Sequence, residues 1–343
     1  MVERVARGGV PTAKEQLLLH AAVSGGNKAE VTRLLKMGFD PSLPNAKDHG
    51  VTPLMAAVRV PASLAIAREL VLYQADMEAK DDLFGDTALT HAAFHGRADI
   101  VGLLVEAHAD LNYFRATDKY TALMLAVANE HNDVAALLLA GDVGNNPKAP
   151  RAELGCAVDV LDDNRWSALH HACENDNAEA CRLLLAAGAD PDVDAVDKAT
   201  ALIRAACCGH ADCVRAMIDG GADLNERTAD GTTGLIFAAR RGFEECCKLM
   251  IEPGGTGVKS ANRKGETAVS AAVAGGHAGV VRLLMPDTIK DLRRVYRDDE
   301  RFAERRAQRD AALEIISEKV ADAKALAEIR KNSPFGGPAP KFN

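Results

Sequence analysis

The stretch GDTALTHAAFHGRADIVGLLVEAHADLN, residues 85–112, decides how the rest of the chain is interpreted, because near-copies of it recur along almost the whole sequence. Equivalents of Thr87 follow one another at intervals of 35, 34, 46, 33, 33 and 34 residues. These index residues are Thr52, Thr87, Thr121, Ser167, Thr200, Thr233 and Thr267. Such spacing predicts stacked copies of one small unit, each packing on its neighbours, rather than two independent globular domains.

Each copy carries the same local signals in the same order. The index residue precedes an apolar helical pattern, where a Thr or Ser hydroxyl caps amides that have no partner within the helix. A paired alanine, such as Ala92-Ala93, allows two helices to approach closely, and Leu103-Leu104 lies on the apolar stripe of a second helix. The residues ADLN at 109–112 favour a tight turn. The pattern predicts two helices and a projecting hairpin in each copy.

The segments TPLMAA at 52–57, TALTHAA at 87–93 and SALHHA at 167–172 carry a T-P-L-H-x-A pattern, and the chain therefore resembles the ankyrin repeat family. The resemblance implies an all-α solenoid of about eight helix–turn–helix repeats over residues 15–285. The first repeat is degenerate, with Leu17 at the index position. The second places Pro61 where the turn between the helices usually has Gly, so this turn must be rebuilt.

Four segments fall outside the regular repeats. Residues 1–14 are interpreted as an N-terminal arm, and the Gly-, Asn- and Pro-rich region at 144–160 as an insertion loop. Residues 286–332 combine dense charge with apolar residues at three–four spacing, which predicts one or two amphipathic helices. They would cover the last repeat or engage a partner complex, and the sequence leaves both open. Residues 333–343 are interpreted as a flexible tail.

Composition limits the classes of partner. A net charge of −8 argues against binding nucleic acid, which needs clustered Lys and Arg, and favours a protein partner with a basic surface. No apolar run is long enough for membrane insertion. Arg4, Arg7 and Lys14 resemble part of a transit peptide, but Glu3 and Glu15 interrupt it. A reduced cytoplasmic location is expected, with the cytoskeleton or cilium, the nucleus and organelle import left open.

The segment CCGHADC at 207–213 looks at first like a metal site. Alignment of the copies gives another interpretation, because Cys213 and Cys246 align with Ile100, and Cys181 and Cys247 align with Val101. These cysteines are expected to be buried as small apolar side chains. Without a C-x-x-C pair, neither a metal nor another cofactor is expected.

The histidines also have structural roles available. His20 and His170 stand at the H of T-P-L-H, and the resemblance implies that they link neighbouring repeats by hydrogen bonds. His210 and His277 fall in the turns between paired helices. The sequence contains no Ser-based nucleophile elbow, phosphate loop or kinase signature. The chain is therefore not expected to be an enzyme.

The resemblance implies that a partner binds to the hairpin tips and to exposed first-helix positions on the concave side. The hairpin candidates are Leu83, Phe84, Tyr120, Asn164, Arg165 and Trp166. The first-helix candidates are Phe94, His95, Asn129, Glu174, Asn175, Arg240 and Arg241. The aromatic residues among them either anchor a partner or pack between adjacent hairpins and stiffen the stack.

The function expected from these features is a non-catalytic interaction module or scaffold that holds one protein partner. One alternative is a structural subunit of a large cytoskeletal, ciliary or organellar assembly. A weaker alternative is an inhibitor that occupies the surface of an enzyme or a transcription factor.

Overall fold

A computed structural model describes residues 12–141, 156–251, 258 and 260–285. It divides into two compact units, Met1–Asp190 and Pro191–Asn343. Within the described ranges the secondary structure is helical, with sixteen α-helices, one short 3-10 helix and isolated β-bridges at the hairpins. The all-α expectation is confirmed. The segments expected at 286–332 and 333–343 lie outside the described residues, as do residues 1–11 of the N-terminal arm.

The first unit contains five helix pairs. Their bounds are α1 Ala13–Ser24, α2 Lys28–Lys36, α3 Pro53–Val58, α4 Leu64–Leu72, α5 Ala88–Phe94, α6 Ala98–Glu106, α7 Ala122–Ala128, α8 Asn132–Ala140, α9 Ala168–Glu174 and α10 Ala178–Ala186. First helices pack on first helices in the order α1, α3, α5, α7 and α9. Second helices pack on second helices in the order α2, α4, α6, α8 and α10. Each pair therefore buries its apolar face against its neighbours, as a stack of repeats requires.

The second unit contains three helix pairs. Their bounds are α11 Ala201–Cys208, α12 Ala211–Asp219, α13 Gly234–Arg241, α14 Glu244–Ile251, α15 Ala268–Gly275 and α16 Ala278–Leu284. Within this unit α13 packs between α11 and α15, and α14 packs between α12 and α16. None of the helices in the described part of either unit has the length and apolar character needed to cross a bilayer.

The index residues begin the first helices, as the sequence predicts. All seven stand at N-cap positions. Thr121 Oγ1, for example, accepts the amide N–H of Met124 at 3.2 Å. At Ser167 the hydroxyl lies 3.0 Å from His170 Nδ1, and the Ser167 amide N–H donates to the same nitrogen at 3.2 Å. A side-chain cap of this kind contributes about 1 kcal/mol to helix stability.

The first repeat differs from the expected pattern at its start. Helix α1 begins at Ala13, with Thr12 as its N-cap. The Glu15 amide N–H donates to Thr12 Oγ1 at 3.4 Å, and the Thr12 amide donates back to Glu15 Oε2 at 2.7 Å. This reciprocal capping box starts the helix upstream of Leu17. Leu17 therefore lies inside the helix, and the last residues assigned to the arm at 1–14 are helical.

The turn that contains Pro61 is held by a side chain from the next repeat. The Arg97 guanidinium donates to the carbonyl oxygens of Val58 and Val60, both at 2.7 Å, and to Ser63 Oγ at 3.3 Å. These charge-assisted hydrogen bonds provide donors for two carbonyl oxygens, that of Val58 at the end of α3 and that of Val60 in the turn. The expected rebuilding of this turn therefore depends on a residue supplied by the following repeat.

The region expected as an insertion at 144–160 ends earlier in the structure. Residues 156–160 belong to a turn that recurs in the other repeats. The Asp159 carboxylate accepts the amide N–H of Asp190 at 3.2 Å, and in the second unit Asp192 accepts that of Asp223 at 2.9 Å. The sequence CAVDV hides this equivalence because it lacks the Gly-Ala-Asp signature. Residues 144–155 lie outside the described residues.

The cysteines named as apolar fillers are buried, which confirms that interpretation. Cys181, Cys213, Cys246 and Cys247 are each at most 1% exposed. Burial raises the pKa of the Cys247 thiol to about 12, so it stays protonated and packs as an apolar group.

Candidate functional site

A buried aspartate closes the hairpin that precedes α5. Asp81 Oδ1 accepts the backbone amides of residues 83–86 at distances from 2.9 to 3.2 Å. Its other oxygen, Oδ2, accepts Nε2–H of His91 at 3.0 Å. Burial alone would raise the pKa of Asp81, but the amides of Phe84 and Asp86 and the His91 ring outweigh it and lower that pKa. An ionised carboxylate therefore organises this loop from inside.

The same arrangement recurs before α9. Asp162 Oδ1 accepts the amides of Asn164 and Trp166, both at 2.8 Å, and Oδ2 accepts Nε2–H of His171 at 3.2 Å. His171 is buried, and this burial lowers its pKa although Asp162 acts in the opposite direction. The ring therefore stays largely neutral near pH 7, and it is held in place by the loop that it closes.

Aromatic and charged side chains link the tips of neighbouring hairpins in the first unit. The Arg115 guanidinium lies over the rings of Phe84 and Tyr120, with centroid distances of 5.4 and 5.2 Å. Two of its nitrogens donate to the Asp118 carboxylate at 3.0 and 2.7 Å, and a third reaches Asp86 Oδ2 at 3.4 Å. This fork orientation fixes the plane of the cation between the two rings.

The series continues to the next hairpin through His171. Its ring lies 5.0 Å from that of Tyr120 and 5.2 Å from that of Trp166. Trp166 also stacks on His170, at 6.1 Å with 24° between the planes. Phe84, Arg115, Tyr120, His171 and Trp166 therefore form one continuous series, which we call the tip row.

The predicted partner-binding residues divide by exposure. The exposed ones are Leu83, Phe84, Phe94, His95, Asn164, Arg165, Asn175 and Arg241. The half-buried ones are Tyr120, Asn129, Trp166, Glu174 and Arg240. Tyr120 and Trp166 are half-buried because they pack between hairpins, whereas Phe84 and Phe94 keep 46% and 47% of their surface exposed. Packing between hairpins is therefore observed for Tyr120 and Trp166, whereas anchoring of a partner by the exposed Phe84 and Phe94 stays a prediction.

Two of the candidates are engaged within the fold. The Asn129 amide donates to the carbonyl oxygen of Leu125 at 2.8 Å. Arg240 belongs to the second unit, where it pairs with Glu266 at 2.6 Å and lies over the Phe237 ring. The structure therefore groups Phe84, Tyr120 and Trp166 in the tip row, while Arg240 and Arg241 belong to a different compact unit.

Sequence reasoning missed Arg115 and His171 as members of this surface. Arg115 lies six residues before the index Thr121, and His171 four residues after Ser167. The sequence does contain one indication of His171. In two repeats an aspartate precedes the index residue and a histidine follows it by four residues, as Asp81 with His91 and Asp162 with His171.

One group within the described ranges has metal-like spacing. Asp81, Asp86 and His91 are buried and place one potential ligand atom each within 4.8 Å of one another. Both Asp81 oxygens and His91 Nε2 already bond within the hairpin, which accounts for this grouping as loop closure. Asp86 Oδ2 accepts a hydrogen bond from Arg115, and Asp86 Oδ1 is buried with no hydrogen-bond partner among the residues that the structure describes.

A family model described as ankyrin repeats (3 copies) matches residues 61–151, 143–228 and 221–294, which together exceed half of the chain. The chain belongs to the ankyrin repeat family. Ankyrin repeats are protein–protein interaction modules, and the family and its fold are generally non-catalytic.

Similar proteins are large and carry ankyrin repeats in part of their length. The chain is 37% identical over 94 residues to the rat ankyrin repeat and SAM domain-containing protein 6, covering 27% of this chain and 10% of that protein. It is 34% identical over 155 residues to human neurogenic locus notch homolog protein 2, covering 38% and 6%. The chain thus spans a tenth or less of these relatives.

A solved structure agrees with the fold. The chain superposes on the ankyrin repeat domain of Bcl-3, a member of the IkappaB protein family, with a TM-score of 0.57 and 28% identity. The superposition covers 68% of this chain and 96% of that domain. The index residues are thus the repeat starts of an ankyrin fold.

Proposed function

We propose that this ankyrin domain is a non-catalytic scaffold that holds one protein partner against the hairpin tips and exposed first-helix positions of its first unit. The tip row is the observation that carries this proposal. Its half-buried members fix one another, so a partner would meet a surface that is already ordered. Such preorganisation reduces the entropy lost on binding.

The chemistry of the surface favours a partner with an apolar side chain flanked by basic residues. Leu83, Phe84 and Phe94 are 53%, 46% and 47% exposed, and exposed aromatic rings are common anchors of interfaces. Arg115 is paired with Asp118 and Asp86 and lies between two rings, so it orders the surface and offers a partner no free charge. The net charge of −8 favours a basic partner.

Affinity capture with quantitative mass spectrometry tests this proposal. The double variant Phe84→Ala/Phe94→Ala should reduce capture of the specific partner at least tenfold. Truncation of an anchor residue often costs about 2 kcal/mol or more of binding free energy. Leu72→Ala is the matched control, since Leu72 is 73% exposed near the end of α4 and lies outside the proposed surface. Equal capture by wild type and the double variant would exclude this surface as the interface.

The burial of six of the eight cysteines as apolar side chains supports a reduced compartment such as the cytoplasm. Most of them are buried, and they pack as thiols. Alkylation of the denatured protein without prior reduction, after rapid acid quenching of cells, should modify all eight. Protection of any pair would contradict this placement.

A further inference from the structure

The second unit contains a basic cavity that the tip row does not involve. Its volume is about 540 Å³, and it lies between consecutive hairpins. It is lined by Lys198, Arg227, Thr228, Ala229, Gly231, Ala261, Asn262 and Arg263. Three of these residues are cationic and none is acidic, although the chain as a whole has a net charge of −8.

Within the described part of the second unit, the cations of this cavity form no ion pair with a carboxylate, whereas other arginines there do. Arg204 pairs with Asp197 at 2.7 Å, and Arg240 pairs with Glu266 at 2.6 Å. Among the residues described by the structure, Lys198 and Arg263 have no ion pair.

Arg227 is held by neutral acceptors. Its guanidinium donates to the carbonyl oxygen of Ala261 at 3.2 Å and to Ser260 Oγ at 3.0 Å. These bonds orient the side chain and leave its positive charge uncompensated. A fixed guanidinium loses little further entropy when it binds an anion.

Neighbouring acids do not neutralise the cavity. The Asp197 carboxylate is engaged by Arg204 at 2.7 Å. Asp230 accepts hydrogen bonds from Thr228 Oγ1 at 2.5 Å and from the amide of Thr232 at 3.1 Å. One carboxylate beside three cations leaves a net positive field, which attracts anions to the cavity.

We propose that this cavity binds a phosphate monoester, with Lys198, Arg227 and Arg263 as its charge partners. A phosphate monoester carries close to two negative charges and has three acceptor oxygens, so it can engage several cations at once, whereas a single carboxylate has two oxygens and one charge. The hydroxyl of Thr228 and the amide of Asn262 already bond within the hairpins, which leaves recognition to the cations. The remaining volume accommodates the group that carries the phosphate.

Calorimetric titration of the full chain with phosphoserine tests the proposal. Arg263→Gln should weaken binding about tenfold, and Lys198→Gln/Arg263→Gln about a hundredfold. Lys264→Gln is the matched control, because it removes a neighbouring exposed cation that does not line the cavity, and it should change affinity less than about twofold. Thermal unfolding checks that each variant folds. Binding should also weaken from pH 7.5 to 5.5, because the second ionisation of the phosphate has a pKa of about 6 and the ligand loses negative charge below it.

Two further ligands identify the source of the phosphate. Tighter binding of a phosphoserine peptide than of free phosphoserine supports a modified protein segment. Equal affinity for inorganic phosphate, phosphoserine and the peptide supports a small phosphorylated molecule. No binding of phosphoserine, or an equal loss in Lys264→Gln and Arg263→Gln, overturns the proposal. Neither result bears on the tip row of the first unit.

Discussion

The hairpins of the two units solve the same structural problem with different chemistry. In the first unit, Asp81 and Asp162 gather the loop amides around an ionised carboxylate and bond to a buried histidine. In the second unit, Thr228 and Asn262 accept the loop amides through a hydroxyl and a side-chain carbonyl. The repeat needs an acceptor inside the loop but not a charge. What distinguishes Asp81 and Asp162 is that these carboxylates are buried and bonded to a histidine, and Asp162 thereby orients the histidine that joins the tip row.

Removing the acceptor should have the largest effect and should separate the two units most clearly. Asp81→Ala leaves amides and His91 without a buried partner, so we expect a loss of about 3–5 kcal/mol in unfolding free energy. Thr228→Ala in the second unit should cost about 1 kcal/mol. Urea unfolding followed by Trp166 fluorescence, from the sole tryptophan, and by circular dichroism measures both. Equal losses would contradict the special role of the carboxylate.

The second comparison is between two glycines with positive φ, one closely packed in the first unit and one in open space in the second. Gly96 has φ +65°, and a Cβ there would lie 2.6 Å from the His131 ring, which donates to the Phe94 carbonyl at 3.1 Å. Gly265 in the second unit has φ +74° and open space around a Cβ. Gly96→Ala should cost about 2–3 kcal/mol and Gly265→Ala about 1–2 kcal/mol, the latter from backbone strain alone. If both cost the same in urea unfolding, the His131 contact contributes nothing.

Acid should destabilise the first unit before the second. The folded-state pKa of His171 is lowered by burial, so the unfolded chain binds the proton more tightly and stability falls as pH drops below about 6.5. The lowered pKa values of Asp230 and Glu266 in the second unit act only below about pH 4.5. The urea midpoint seen by Trp166 should therefore decrease between pH 7 and 5.

Two variants sharpen this measurement. His171→Gln should reduce the decrease because glutamine does not titrate, and His95, whose pKa burial also lowers, accounts for the part that remains. A Trp166→Phe/Phe237→Trp chain moves the reporter to the second unit, where the midpoint should hold nearly constant over the same range. A parallel decrease at both reporters would assign the effect to general charge rather than to His171.

The smallest expected effect concerns backbone strain in the first unit. Glu130 has φ +62°, at the position where most other repeats have Gly. Glu130→Gly should stabilise the protein by up to about 1 kcal/mol, because a non-glycine residue in this region costs roughly that amount more than glycine. Asp176→Gly, at φ +56°, should gain less, since Asp tolerates this conformation better. Thermal unfolding with both variants measures the difference, and a loss in Glu130→Gly would contradict it.

The sequence predicted the structural features that depend on contacts within one repeat. Index spacing located the caps from Thr52 to Thr267, because each threonine cap accepts the amide N–H three residues further along the chain. It failed at Leu17, since the capping box of Thr12 and Glu15 lies outside the repeating pattern. Spacing also identified Phe84, Tyr120 and Trp166 as tip residues, which stays a prediction for partner binding.

What the sequence did not predict depends on the register between hairpins. Asp81 lies six residues before its index residue, whereas Asp162 lies five before, so an offset of one residue concealed their equivalence. Arg115 joins Phe84 to Tyr120 only because two successive tips place their rings on either side of it. Distances between loops of separate repeats are three-dimensional quantities, and spacing along one chain does not contain them.

The Arg97 guanidinium gives the second and third repeats a directional dependence. The second repeat has Pro61 in its turn, and the carbonyl oxygens of Val58 and Val60 accept hydrogen bonds from Arg97 of the following repeat. A fragment that stops at Glu78 would keep both helices of the second repeat and lose the donor that completes its turn. Shortening the protein from its C-terminal side past Arg97 should therefore fray the repeat behind the cut, so the safe boundary for dissecting this array lies beyond α6.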